Sequence, residues 1–136
     1  MKRISQMVTT LLVLGLGIVL FAQSQSRVHS YDPKTEVKVK GTIQDVEEQA
    51  PRRGWKSTHL ILKTDSATLP VLAGPSVYIT NKQFSFAKGD EIEVLGSKLS
   101  VDGKDVLLAR EITKGGKTLV LRNAQGVPEW ARARGR

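Results

Sequence analysis

The chain has 136 residues with 12 Gly, 5 Pro and no Cys, enough for one domain around one core. The absence of cysteine excludes disulfides, a thiol nucleophile, lipid attachment through Cys and covalent c-type haem. A formal charge of +8 favours anionic lipid, cell-wall polymer, nucleic acid or an acidic partner at long range, although such charge also keeps a small domain soluble.

Residues 1–24 read as a signal peptide. Lys2 and Arg3 supply the positive end, Leu11 to Phe21 an apolar run, and "AQS" the small residues that a signal peptidase needs. The run is shorter than the roughly 20 apolar residues that span a bilayer, so no stable transmembrane segment is expected after cleavage. An uncleaved N-terminal anchor is the alternative. Cleavage removes two bases and no acid, and the formal charge falls from +8 to +6.

Residues 25–35, "QSRVHSYDPKT", are polar and read as a mobile lead-in to a β domain over 36–123. In "EVKVKGTIQDVEEQ", Val37, Val39, Gly41 and Ile43 share one face, and the phase slips before Val46. A glycine followed by a slip predicts a bulge or sharp coil, as a first strand needs if it serves two halves of a barrel. "QAPRRGWKS" is a loop. "THLILKT" forms a second strand with Leu60 and Leu62 in phase, and "TLPVLA" a third. Pro70 cannot donate to a ladder, which places this third strand at an edge or turns the missing N–H outward. A short helical turn is expected between Pro75 and Gln83.

Ile92 and Val94 mark a fourth strand, with a bend at Gly96. The Asp-Gly of "VDGK" predicts a tight turn into "DVLLAREI", which is apolar on both faces. "KTLVLRN" offers a short sixth strand. Residues 124–136, "AQGVPEWARARGR", have no period and read as a basic tail. The predicted fold is therefore all-β: a small OB-like Greek-key barrel of five to six strands, with a short helical turn after strand three. Val37, Val39, Ile43, Leu60, Leu62, Ile92 and Val94 are the expected core.

The segments "YDPKTEVKVKGTI", "THLILKT", "LAGPSVYI", "FAKGDEIEVLGSKL" and "LLAREITKGGKTLVLRNAQGVPEW" resemble a group of small exported bacterial proteins of unknown function. That group carries an OB-fold of the nucleic-acid-binding type, and the resemblance runs over residues 31–130. More distantly the chain is similar to the bacterial periplasmic OB-fold family linked to stress tolerance. That family has an Asp-x-Thr-Gly-like turn where this chain has "TDSAT", without the glycine. The resemblance implies an OB-fold and export, and it transfers no catalytic residue.

Little in the chain suggests catalysis. His59 shares a strand face with Ile61 and reads as a structural histidine, and His29 with Asp32 makes too small a set for a metal. The sequence thus points to no enzyme, no cofactor and no metal. OB-folds bind on strands two and three, between the loop joining strands one and two and the loop joining four and five. Arg52, Arg53 and Lys56 surround Trp55 in the first of these loops, and Lys63 could extend their charge; these are the candidate ligand-binding residues. The expected protein is a periplasmic or secreted non-enzymatic binding module. Its partner would be a protein, a peptide or an anionic envelope ligand. A nucleic-acid-binding OB domain is the alternative, disfavoured by export and by an aromatic content of only 5%. An envelope structural or assembly protein is the third reading. N-terminal sequencing of the native protein should find a mature start within a few residues of Gln25; an intact Met1 on cytosolic protein would overturn export.

Overall fold

The computed structural model describes residues 30–50 and 54–134; the signal segment, His29, Arg52 and Arg53 lie outside the described residues. A 3-10 turn, Pro33–Thr35, leads into β1 (Glu36–Gln49), β2 (Ser57–Lys63) and β3 (Thr68–Pro75). Then come α1 (Ser76–Asn81), β4 (Glu91–Val101), β5 (Lys104–Lys114), β6 (Lys117–Val120) and α2 (Glu129–Arg134). The sheet order is β3-β2-β1-β4-β5-β6, and β3 also pairs in parallel with β5. That last pairing closes a five-stranded barrel with β6 as an extra strand, the OB-like arrangement expected from the sequence.

β1 serves both halves of the barrel, as its phase slip predicts. Glu36–Thr42 pairs with β4 and Thr42–Gln49 with β2, with a bulge between Ile43 and Asp45. Gly41 sits at the changeover. Its importance is not an unusual dihedral: a Cβ there would lie 2.5 Å from the Lys63 carbonyl oxygen and 2.9 Å from Leu62 Cγ. Only a residue without a side chain lets β1 swing this close to β2. The β4–β5 turn carries Asp102 and Gly103 at φ 52° and 81°, the paired left-handed residues of a tight hairpin. Pro70 lies opposite Ile61 and just before the β3–β5 pairing, so its missing N–H breaks no bond to that strand.

Ile43, Leu60, Leu62, Ile92 and Val94 are buried as expected, joined by Val71, Leu107, Ile112 and Leu121. Val39 packs against this core while half-buried. Val37 is a correction: it is 36% exposed, because its cross-strand neighbour is Gly96, which offers no side chain to cover it. The expected double-faced strand is present, since Leu107, Leu108 and Ala109 are buried in succession.

Both ends of the domain are more ordered than their composition implies. From Tyr31 onward the lead-in is hydrogen-bonded within itself and to β1 and β4. Asp32 caps the 3-10 turn, accepting the Lys34 N–H at 2.9 Å, and its own N–H donates to Ser97 Oγ. Thr35 Oγ1 lies 2.7 Å from the same Ser97 Oγ. The Tyr31 hydroxyl donates to the Glu36 carboxylate, which also receives Arg110 Nη1 at 2.8 Å.

The segment read as a tail folds back instead. Arg122 bridges to Pro128, and Trp130 lies 5.5 Å from the Tyr78 ring. The indole rests on Gly74, where a Cβ would come within 2.8 Å of it. Periodicity could not reveal this, because a single large ring on an irregular strap does the packing. Beneath Trp130, the buried Arg122 guanidinium donates from Nη1 to the carbonyls of Ala73 and Ala109. These lie on β3 and β5, just past the two residue pairs that join those strands. Arg122 therefore extends the closure of the barrel with a side chain.

Leu62→Ala should cost roughly 2–5 kcal/mol, as expected for a fully buried leucine. Arg122→Ala should cost about 2–4 kcal/mol, because it orphans two buried carbonyls. Urea denaturation measures both. An unchanged midpoint for Arg122→Ala would mean that the β3–β5 closure does not depend on the guanidinium.

Candidate functional site

The outer face of β1, β2 and β3 follows from the register. Leu60 and Leu62 point inward, so His59, Ile61 and Lys63 point outward, and their neighbours form three cross-strand rows. The first row is Glu47–His59–Leu72, the second Asp45–Ile61–Pro70, and the third Thr42–Lys63–Thr68. Ile61, Pro70 and Leu72 are half-buried and make an apolar stripe. The exposed carboxylates of Asp45 and Glu47 line its β1 side. Burial pushes the His59 imidazole below its ordinary pKa, and Glu47 opposite it pulls partly back.

At the start of β3 the face opens into a groove of about 540 Å³. Val39, Ile61, Leu69 and Pro70 give it apolar walls, and Lys98, Lys104 and Asp105 of the β4–β5 hairpin stand at its rim. Lys98 and Asp105 are 3.7 Å apart and mostly exposed, an arrangement of small net strength.

The residues singled out from the sequence do not gather at one point. Trp55 is 44% exposed, and the Lys56 carbonyl accepts the Ser76 N–H at 2.8 Å, which holds the end of this loop beside α1. Lys63 is exposed at the other end of β2, seven residues and therefore about 23 Å from Lys56 along an extended strand. Arg52 and Arg53 lie outside the described residues. The outward apolar residues Ile61, Pro70 and Leu72 were the missed signal. Both strands carry apolar side chains on the face opposite the core, which a purely solvated face would lack.

Other charged groups are accounted for by the fold. Asp90 is held below the usual carboxylate range by the Ala87 N–H and by Lys114 at 3.1 Å. Burial lowers Arg122 to about 10, still a cation at neutral pH. Among the described residues, no group of three or more His, Asp or Glu is placed to hold a metal ion. No described helix is long and apolar enough to cross a membrane.

The model of the MamS/MamX magnetosome protein family matches residues 35–119, from the end of the 3-10 turn through nearly all of β6. That is more than half of the chain. The protein belongs to the MamS/MamX magnetosome protein family. This replaces the group of exported OB-fold proteins suggested by sequence resemblance. A comparison with curated proteins finds no match. The part that defines this MamS/MamX member is thus the barrel itself, and the Arg122 and Trp130 closure lies beyond the matched span.

His59 should titrate below its ordinary pKa in NMR, and Glu47→Gln should move it lower still, since the carboxylate is what raises it. The sign for stability follows. A histidine depressed on folding binds more protons when unfolded, so its contribution is complete above about pH 6.5 and is lost as pH falls toward the folded value. A His59 midpoint that rose in Glu47→Gln would contradict the pairing.

Proposed function

We propose that this protein is an exported, non-enzymatic binding module of the magnetosome-associated envelope, built on an OB-like barrel and recognising a protein partner. One observation carries the choice of partner: the outer face of strands two and three is an apolar stripe with Asp45 and Glu47 beside it. A polyanion laid across that face would meet carboxylates where single-strand binders offer cations and stacked aromatics. A polypeptide can cover the stripe and find partners for charge of either sign. Family membership over the barrel supports the magnetosome association, and the N-terminal signal pattern supports export.

Trp55 favours the second reading, a nucleic-acid-binding OB domain, because an exposed indole beside Lys56 could stack a base. Salt separates the two readings. Nucleic-acid binding should weaken steeply and linearly in log salt as counterions are released.

The direct test places a benzoylphenylalanine photo-crosslinker at Ile61 or, as a control, at exposed Thr80 in cells producing the full chain. Protein adducts at position 61 and none at position 80 are expected, together with no binding of purified protein to fluorescent oligothymidylate at any salt. Oligonucleotide binding that disappears in Ile61→Asp would overturn the reading. In a Trp130→Phe background, the remaining Trp55 should fluoresce at long wavelength and be readily quenched by iodide. A blue-shifted, protected signal would mean that Trp55 seals the barrel instead.

A further inference from the structure

The groove beside the stripe lies where the barrel is incompletely zipped, and this suggests what occupies it. β3 and β5 pair only at Val71–Leu107 and Leu72–Leu108. On one side of those pairs Arg122 bridges the strands through the Ala73 and Ala109 carbonyls. On the other side, Thr68–Pro70 and Lys104–Asp105 line the groove without pairing to each other. The alternation of antiparallel ladders sets the direction of their backbone groups. The Thr64 N–H donates to the Ala67 carbonyl at 2.8 Å, so by alternation Lys63–Thr68 and Ile61–Pro70 are non-bonded pairs of the β2–β3 ladder. Pro70 and Thr68, two residues before it, then turn their backbone groups toward β5. The tight Val101–Lys104 turn likewise leaves the Asp105 backbone directed toward β3.

An open seam with backbone donors and acceptors, apolar walls and two lysines against one aspartate at its rim has a specific complement. We propose that this groove receives an extended, apolar segment of a partner protein bearing acidic side chains, which adds strand-like hydrogen bonds at the β3–β5 seam. The proposal rests on the protein-binding reading above and names the partner's chemistry. Extended backbone satisfies the seam, alternate apolar side chains meet Val39, Ile61 and Leu69, and a carboxylate reaches Lys104 or displaces Asp105 from Lys98. Pro70 removes one donor from the β3 edge, which limits indiscriminate pairing with other strands.

The test selects binders from a phage-displayed random dodecapeptide library on the full-length mature protein, with dodecanoate and oligothymidylate as competitors. Enriched peptides should alternate apolar residues with Asp or Glu. Their affinity should fall by roughly tenfold or more in Lys98→Glu/Lys104→Glu, an exposed pair, with circular dichroism and the thermal midpoint of the variant measured to show that it is folded under the binding conditions. The Thr68 and Asp105 amides should gain protection from hydrogen exchange on binding. Peptides indifferent to the charge reversal, or ones that leave both amides unprotected, would overturn the proposal. Displacement by dodecanoate alone would assign the groove to a lipid, and displacement by oligothymidylate to nucleic acid; either result overturns it. If Ile61 still crosslinks to protein while the groove variant binds normally, the groove assignment fails and the protein-binding reading stands.

Discussion

One buried cation sits where the backbone ladder that closes the barrel stops. A five-stranded barrel must join β3 to β5, two strands running in the same direction, and here the ladder holds for only two residue pairs. Arg122 continues it, a guanidinium donating to a carbonyl of each strand from a buried position. Burying that charge without a carboxylate is costly, and hydrogen bonds plus the Trp130 face 5.1 Å away offset the cost. Both carbonyls are met by the one nitrogen Nη1, while the planar guanidinium lies beneath the Trp130 ring. β2 is joined to β5 in both directions, through β3 across this seam and through β1 and β4 around the other side of the barrel.

The two ends of the domain are tied to the same region. Trp130 covers the guanidinium and rests on Gly74 and Tyr78, while Tyr31 packs against Gly126 of the same C-terminal strap. Glu36 gathers the Tyr31 hydroxyl and Arg110 of β5, and this pairing holds Glu36 below its usual pKa and raises Arg110. Burial and the adjacent Glu36 carboxylate push the Tyr31 phenol upward, so it stays a neutral donor. The beginning and end of the folded chain thus share a clasp on the β5 side, away from the apolar stripe on β2 and β3.

Charge on the surface is organised by strand rather than by total. The chain is strongly basic, yet the β1 margin of the stripe is acidic and the β4–β5 hairpin supplies lysines at the groove. A field that changes sign across a short distance would orient a bound partner more than it would select its net charge. The positive total concerns solubility and encounter, and the local pattern concerns what stays bound.

The sequence by itself determined the elements. Alternation at Val39–Ile43, Leu60–Leu62 and Ile92–Val94, the Asp-Gly turn and the phase slip in β1 are local signals, because a strand records in every second residue which side is wet. Together with Pro70, and with the short helical turn expected after it, they fixed the OB-like order. Val37 failed by the same logic, since its pattern was correct but its burial depended on Gly96 across the ladder. Only the tertiary structure assembled the candidate surface. It made Ile61, Pro70 and Leu72 one surface, and turned Arg122 and Trp130 from a strand end and a tail into a bridge across the β3–β5 seam. Those relations join residues far apart in the chain, where no local period connects them, and their energy exists only once the strands have met.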